Sequence, residues 1–180
     1  MKHTRKLEEI QNGEIFGIGV YEFIKFADEN GVTTAVSKDI LFDSRFGDTN
    51  NLTFSIVLDR MKEEILPEIE SIIGAENVLE FETDLLSLDG SKKHGVMKSK
   101  ISLPTFDFYR KNRAIFEKHN PKKWWWLATP DSTREFTNDD WCVCVSPAGR
   151  IFNYFYYDYN SLGVRPFWNF LSSIFVSYEE

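Results

Sequence analysis

Apolar and polar positions change their spacing twice along this chain, and each change marks a different kind of element. Residues 12–26 form a largely apolar, extended run softened by Gly17 and Gly19. The pair lacks the third glycine and the following helix of a dinucleotide fingerprint. Asp28-Glu29-Asn30-Gly31 reads as a turn and residues 32–37 as a second strand, which predicts a β-hairpin. Residues 43–51, rich in Asp, Gly and Asn, read as a loop. From Thr53 the apolar residues Phe54, Val57, Leu58, Met61, Ile65, Ile69, Ile72 and Ile73 fall at helical spacing. Pro67 cannot continue a first helix but suits the first turn of a second, and Gly74 is expected to close that one as a left-handed cap.

Residues 78–88 read as extended, and 89–93 as a turn. Leu103-Pro104-Thr105 then opens a further helix, with Thr105 as N-cap and Asp107 in the first turn. It should end at Asn120-Pro121, because the residue before proline resists helical geometry. Short strands follow at 124–128, 141–145, 151–157 and 164–168, separated by turn residues. The pattern predicts an α+β protein, one domain over residues 1–180: an N-terminal hairpin, two helical regions and a C-terminal antiparallel sheet of short strands.

Aromatic content sharpens this picture. All five tryptophans and five of the seven tyrosines lie beyond Pro121. Of Trp124, Trp125 and Trp126, alternation on a strand sends at least one outward. The two alternating sets within residues 151–157 cannot share one core either. Another layer covers the second set, or that face is left open for a partner. Trp141, Tyr154, Tyr156, Tyr157 and Tyr159, with Arg134 beside them, are the candidate docking residues. Near the end, Gly163 suits positive φ or a close approach, Pro166 an edge strand or strand end, and Arg165 a structural tie to carboxylates or carbonyls.

The net charge of −7 conceals two opposed blocks: residues 59–89 hold ten acids and two bases, and residues 90–123 hold ten bases and two acids. The simplest reading is that the two partly neutralise each other. Glu63, Glu64, Glu68 and Glu70 fall off the apolar stripe and form a solvated helix face, which is also a candidate partner surface. Lys92, Lys93, Lys98, Lys100, Arg110, Lys111, Arg113, Lys122 and Lys123 form a candidate phosphate-contacting stripe. Cys142 and Cys144 read as small buried side chains. The three histidines suggest no metal cluster, and no cofactor is expected. No apolar run approaches membrane-spanning length and the start has no secretory pattern, so a cytoplasmic location is expected.

Trp125-Trp126-Leu127, Pro130, Gly149 and Gly163-Val164-Arg165-Pro166 together resemble a bacterial and phage domain of unknown function common in gut Firmicutes. That domain reads Trp-Trp-Leu-Arg-Ser-Pro, a Gly turn, then Gly-Val-Arg-Pro-Ala. The resemblance implies a C-type-lectin-like fold, akin to ligand-binding domains diversified by retroelements and to formylglycine-generating-enzyme-like domains. Ala128-Thr129 and Phe167-Trp168 depart from the pattern. The calcium-dependent sugar motifs are missing, and Cys142-x-Cys144 does not reproduce the oxidase cysteines.

Convergent catalytic groups are hard to find. Asp139-Asp140 are adjacent residues of a loop, and Ser132 and Ser146 have no histidine near them in sequence, so the chain reads as a non-enzyme. The leading expectation is a binding module for a protein partner. It is taken as an anti-defence, anti-CRISPR inhibitor whose acidic block engages the basic channel of an RNA-guided nuclease carrying its guide RNA. A lectin-like module for glycans or surface ligands, and nucleic-acid contact through residues 90–123, are the alternatives.

Overall fold

The computed structural model describes residues 2–133, 141–156 and 161–179. The architecture is α+β, dominated by sheet. Among the described residues thirteen strands run in chain order: β1 (Lys2–Lys6), β2 (Ile15–Ile18), β3 (Tyr21–Glu29), β4 (Val32–Ser37), β5 (Phe42–Ser44), β6 (Phe81–Asp84), β7 (Val96–Ser99), β8 (Trp125–Pro130), β9 (Trp141–Val145), β10 (Ile151–Tyr156), β11 (Leu162–Val164), β12 (Phe167–Leu171) and β13 (Phe175–Glu179). One sheet has the order β1-β13-β2-β3-β4-β12, a second β10-β9-β8-β11-β5, and β6-β7 form a separate ribbon. Among the described residues no helix is long and apolar enough to cross a membrane.

The N-terminal hairpin is present, but the expected run 12–26 is itself a hairpin, turning at Gly19-Val20 between the paired Ile18 and Tyr21. Asn30 and Gly31, at φ 53 and 77, make the next turn. Part of the expected loop at 43–51 is strand β5, which pairs with β11. The helical segment is continuous through Pro67: α1 (Ile56–Arg60) passes through a π-helical turn (Met61–Ile65) into α2 (Leu66–Ile73). In a regular helix the Pro67 ring would meet the carbonyl four residues back, and the wider turn relieves that. Gly74 ends α2 with φ 90 but ψ 137, so it is an extended, glycine-only turn and not the expected left-handed cap. Thr105 is the N-cap foreseen, its hydroxyl accepting from Phe108 N at 3.1 Å. The helix it opens breaks at Asn112 into α3 (Phe106–Lys111) and α4 (Arg113–Lys118).

The core is double. Along β8, Trp125 and Leu127 join one apolar cluster, whereas Trp126 and Ala128 join the other. On β9, Val143 and Val145 separate from Cys142 and Cys144 in the same way. Residues of α1 and α2 pack into the Trp126 cluster with Phe16, Phe23, Trp168 and Phe170; Tyr109 and Phe116, from α3 and α4, pack into the Trp125 cluster with Ile24 and Phe26. Strands buried on both faces read as unbroken apolar runs, which is what Trp125–Ala128 and Cys142–Val145 are. This corrects the expectation of an outward tryptophan: Trp125 and Trp126 are fully buried on opposite faces, and Trp124 packs half-buried against Phe152.

The strand expected over 164–168 is two strands in two sheets. Val164 pairs with Phe42, whereas Phe167 pairs with Val36. Arg165-Pro166 is the crossing, where the proline's missing N–H costs no ladder bond. Arg165 is fully buried. It donates from Nε to Ser37 O at 3.1 Å, and from Nη2 to Lys38 O at 3.1 Å and His119 O at 3.4 Å. Its guanidinium lies 4.7 Å from the centre of the Trp125 ring. Burial pulls its pKa down to about 10. Gly163 is needed for space, not for φ: a Cβ there would sit 2.4 Å from Ile40 Cδ1. The C-terminal sheet is also not purely antiparallel, since Gly163 of β11 pairs parallel with Trp125 of β8.

Candidate functional site

The acidic helix face is largely tied to its own molecule. Glu64 accepts from Arg60 Nε at 2.8 Å, Glu68 accepts the Tyr21 hydroxyl, and Glu70 pairs with Lys100 at 2.7 Å. The bond to Glu68 is the main reason the Tyr21 pKa rises to about 12. Glu63 and Asp59 stay exposed and form no ion pair with any described residue. The opposed charge blocks meet at Lys100–Glu70 and Lys98–Glu82, among other places. Of the aromatic candidates, Trp141 is exposed. Tyr154 and Tyr156 belong to β10, but their side chains lie outside the described residues, as do Tyr157, Tyr159, Arg134, Asp139 and Asp140.

Part of the basic stripe converges. Arg110 on α3, Arg113 on α4 and Arg150 from the β9–β10 turn line one cleft of ≈ 340 Å³ with Phe106, Tyr109 and Ile151 as its floor. The Tyr109 hydroxyl donates to Gly149 O at 2.9 Å and so clamps this turn against α3. Burial pushes the Tyr109 pKa up, which keeps it a donor. Arg110 pairs with Asp107 at 2.9 Å and Arg113 with Glu117 at 2.6 Å, both exposed pairs. Such pairs are worth at most about 1 kcal/mol and exchange readily for a stronger anion. Arg150 is exposed and forms no ion pair with any described residue. Asn120 Nδ2 donates to Pro147 O at 2.9 Å, holding the connection with exposed Lys122 and Lys123 against the same turn. Lys111, though exposed on α3, does not line the cleft.

A larger cleft of ≈ 460 Å³ adjoins this one, with Phe106 and Arg110 lining both. Its apolar lining includes Phe81, Phe108 and Phe167, whose rings meet edge to face at 5.0 Å (Phe81–Phe167) and 4.9 Å (Phe108–Phe167). Glu82, Asp84 and Asp107 stand among its lining residues. Gly90, which also lines it, precedes the turn carrying Lys92 and Lys93. Sequence reasoning named Arg110 and Arg113 but missed Arg150 and the phenylalanines. Only the Ser146–Gly149 turn hinted that Arg150 sits at a hairpin tip, and nothing local said which helix that tip touches.

Two further groupings complete the search for chemistry. His94 Nε2 lies 2.8 Å from Asn50 Oδ1, and Asn50 donates to Ser132 O at 2.8 Å. The link from His94 toward Ser132 runs through Asn50, which donates to the Ser132 backbone carbonyl and not to its hydroxyl, so it is no nucleophile–base arrangement. His119 Nε2 lies 2.9 Å from Gly13 O, beside a polar pocket of ≈ 410 Å³ that includes Glu14, Glu22, Lys38 and Tyr178. Because a carbonyl only accepts, Nε2 carries the proton. Burial holds the His119 pKa below its ordinary value, with Lys118, Arg165 and Lys38 adding to the effect. Among the described residues no group of His, Cys, Asp and Glu is placed to hold a metal ion. No protein-family model, curated protein or solved structure matches the chain.

Proposed function

We propose that this chain is a non-catalytic binding module of C-type-lectin-like fold, acting in the cytoplasm of a bacterial host, whose working surface contacts nucleic acid. One observation carries the reading: three arginines from two segments distant in sequence converge on an aromatic floor. A local cationic cleft attracts phosphate even on a chain of net charge −7, because at physiological ionic strength the field decays within about 8 Å. The test is fluorescence anisotropy of a labelled oligonucleotide titrated with salt. Binding should weaken steeply as salt rises, and Arg110→Glu/Arg113→Glu/Arg150→Glu should abolish it. No binding at low salt, or a triple variant that binds like the parent, would overturn the proposal.

A second reading is favoured by exposed Asp59 and Glu63 on the outer side of the long helical segment. In it the chain is an anti-defence, anti-CRISPR protein that docks acidic side chains on the basic channel of an RNA-guided nuclease. Pull-down against bacterial immune nucleases, with and without guide RNA, separates the two. Capture that survives removal of RNA and is lost in Asp59→Lys/Glu63→Lys supports protein docking. Capture that requires RNA supports nucleic-acid contact.

A further inference from the structure

The two adjacent clefts, which share Phe106 and Arg110 as lining residues, have opposite character. One end is cationic: Arg110, Arg113 and Arg150 over a shallow floor. The other is aromatic and apolar, with carboxylates among its lining residues. A duplex offers the first end what it needs but nothing to the second, since its bases are stacked away and its phosphates would face Glu82 and Asp84. A bare phosphate likewise leaves the aromatic end empty. An unstacked nucleotide satisfies both, with its phosphate on the arginines and its base against phenylalanine rings.

Resting on the nucleic-acid reading above, we propose that the groove takes a single strand with one base inserted among Phe106, Phe108 and Phe167, and that it prefers bases carrying an exocyclic amino group. The preference follows from the wall. Glu82 and Asp84 are acceptors only when ionised, and both are exposed enough to turn toward a ligand. Adenine and cytosine present an exocyclic amino donor on their pairing edge, whereas thymine presents one N3–H flanked by two carbonyl oxygens that a carboxylate repels. Among the described residues, the Glu82 side chain is held by the exposed Lys98 contact at 3.3 Å and that of Asp84 by the Leu86 amide at 3.0 Å. Both therefore keep acceptor capacity for a base.

The experiment measures anisotropy of labelled homopolymeric dA, dC and dT single strands and of a mixed duplex, at one fixed low salt. The expected order places dA and dC above dT, with the duplex weakest. Phe106→Ala should weaken single strands roughly 5- to 100-fold, the usual worth of one base stack, and leave the duplex unchanged. Glu82→Gln with Asp84→Asn can donate as well as accept, and should bring dT level with dA and dC. Equal binding of single strand and duplex, unmoved by Phe106→Ala, would overturn base insertion while leaving the arginine cleft as a phosphate site. Preserved base preference in the Glu82/Asp84 variant would overturn the assignment of the wall. Failure of every probe to bind would remove both this inference and the nucleic-acid reading.

Discussion

Replacing Arg165 by methionine probes the crossing between the two sheets. The substitution conserves length and apolar stem, and removes the charge and every donor. Ser37 O, inside the core, loses its side-chain donor at 3.1 Å, and Lys38 O and His119 O lose theirs at the rim. A stranded buried carbonyl costs about 1–3 kcal/mol and a desolvated cation–π contact about 2. Against this, a guanidinium without a carboxylate hydrogen-bond partner no longer has to be stripped of water, which returns part of the loss. The net expectation is destabilisation by about 2–4 kcal/mol, or roughly 5–15 °C in Tm for a chain of this size. Guanidinium chloride unfolding at pH 7 reads it directly. Arg165→Lys separates the causes: it keeps a charge but cannot reach three acceptors from one ammonium, so it should be at least as damaging as methionine. Methionine within about 0.5 kcal/mol of the parent would show that the three carbonyl bonds do not hold the crossing.

Other outcomes follow from the same structure. Gly163→Ala should destabilise by about 1–3 kcal/mol, because three atoms of Ile40 lie within 2.9 Å of the new methyl, and Ile40→Ala in the same chain should restore most of it; additive losses in a double-mutant cycle would refute the close approach. His119, with its folded pKa below 6.5, binds its proton more readily when unfolded, so stability should fall as pH drops below that value. His119→Gln, able to donate to Gly13 O, should flatten denaturation midpoints measured between pH 5 and 7; an unchanged slope would point to other groups. Burial raises the Cys144 thiol to about 12 and Cys142 well above its ordinary value, so an aromatic disulfide reagent should label neither at pH 8 until denaturant is added. Rapid labelling of the folded protein would contradict the two-sided burial of β9.

Local chemistry was legible where the deciding partner lies a few residues away. The Asn30-Gly31 turn, the Thr105 cap and the apolar stripe from Val57 to Ile69 each rest on neighbours in sequence. Burial of Cys142 and Cys144, and a carbonyl-tied Arg165, followed from residue type. Long-range pairing was not legible. Residues 2–6 and 175–179 carry no clear alternation, yet they zip together as β1 and β13. The π-helical turn that carries the helix past Pro67 left no mark that propensity could read. The apolar residues on either side of Arg165-Pro166 hid a change of sheet, since Val164 and Phe167 look alike whichever neighbour they meet. The groove shows the same limit. Arg110 and Arg113 stood out as a local run, but Arg150 joins them only because Tyr109 holds a distant hairpin tip.

Strand β13 lies between β1 and β2, so residues 175–179 fill a slot whose walls are residues 2–6 and 15–18. During synthesis on a ribosome those walls emerge long before the piece that joins them. Until then β2 offers a bare edge, and β1 has no neighbour at all. The larger sheet therefore closes only after residues 175–179 have left the exit tunnel, an entropically slow step that leaves strand edges open to wrong partners in the interval.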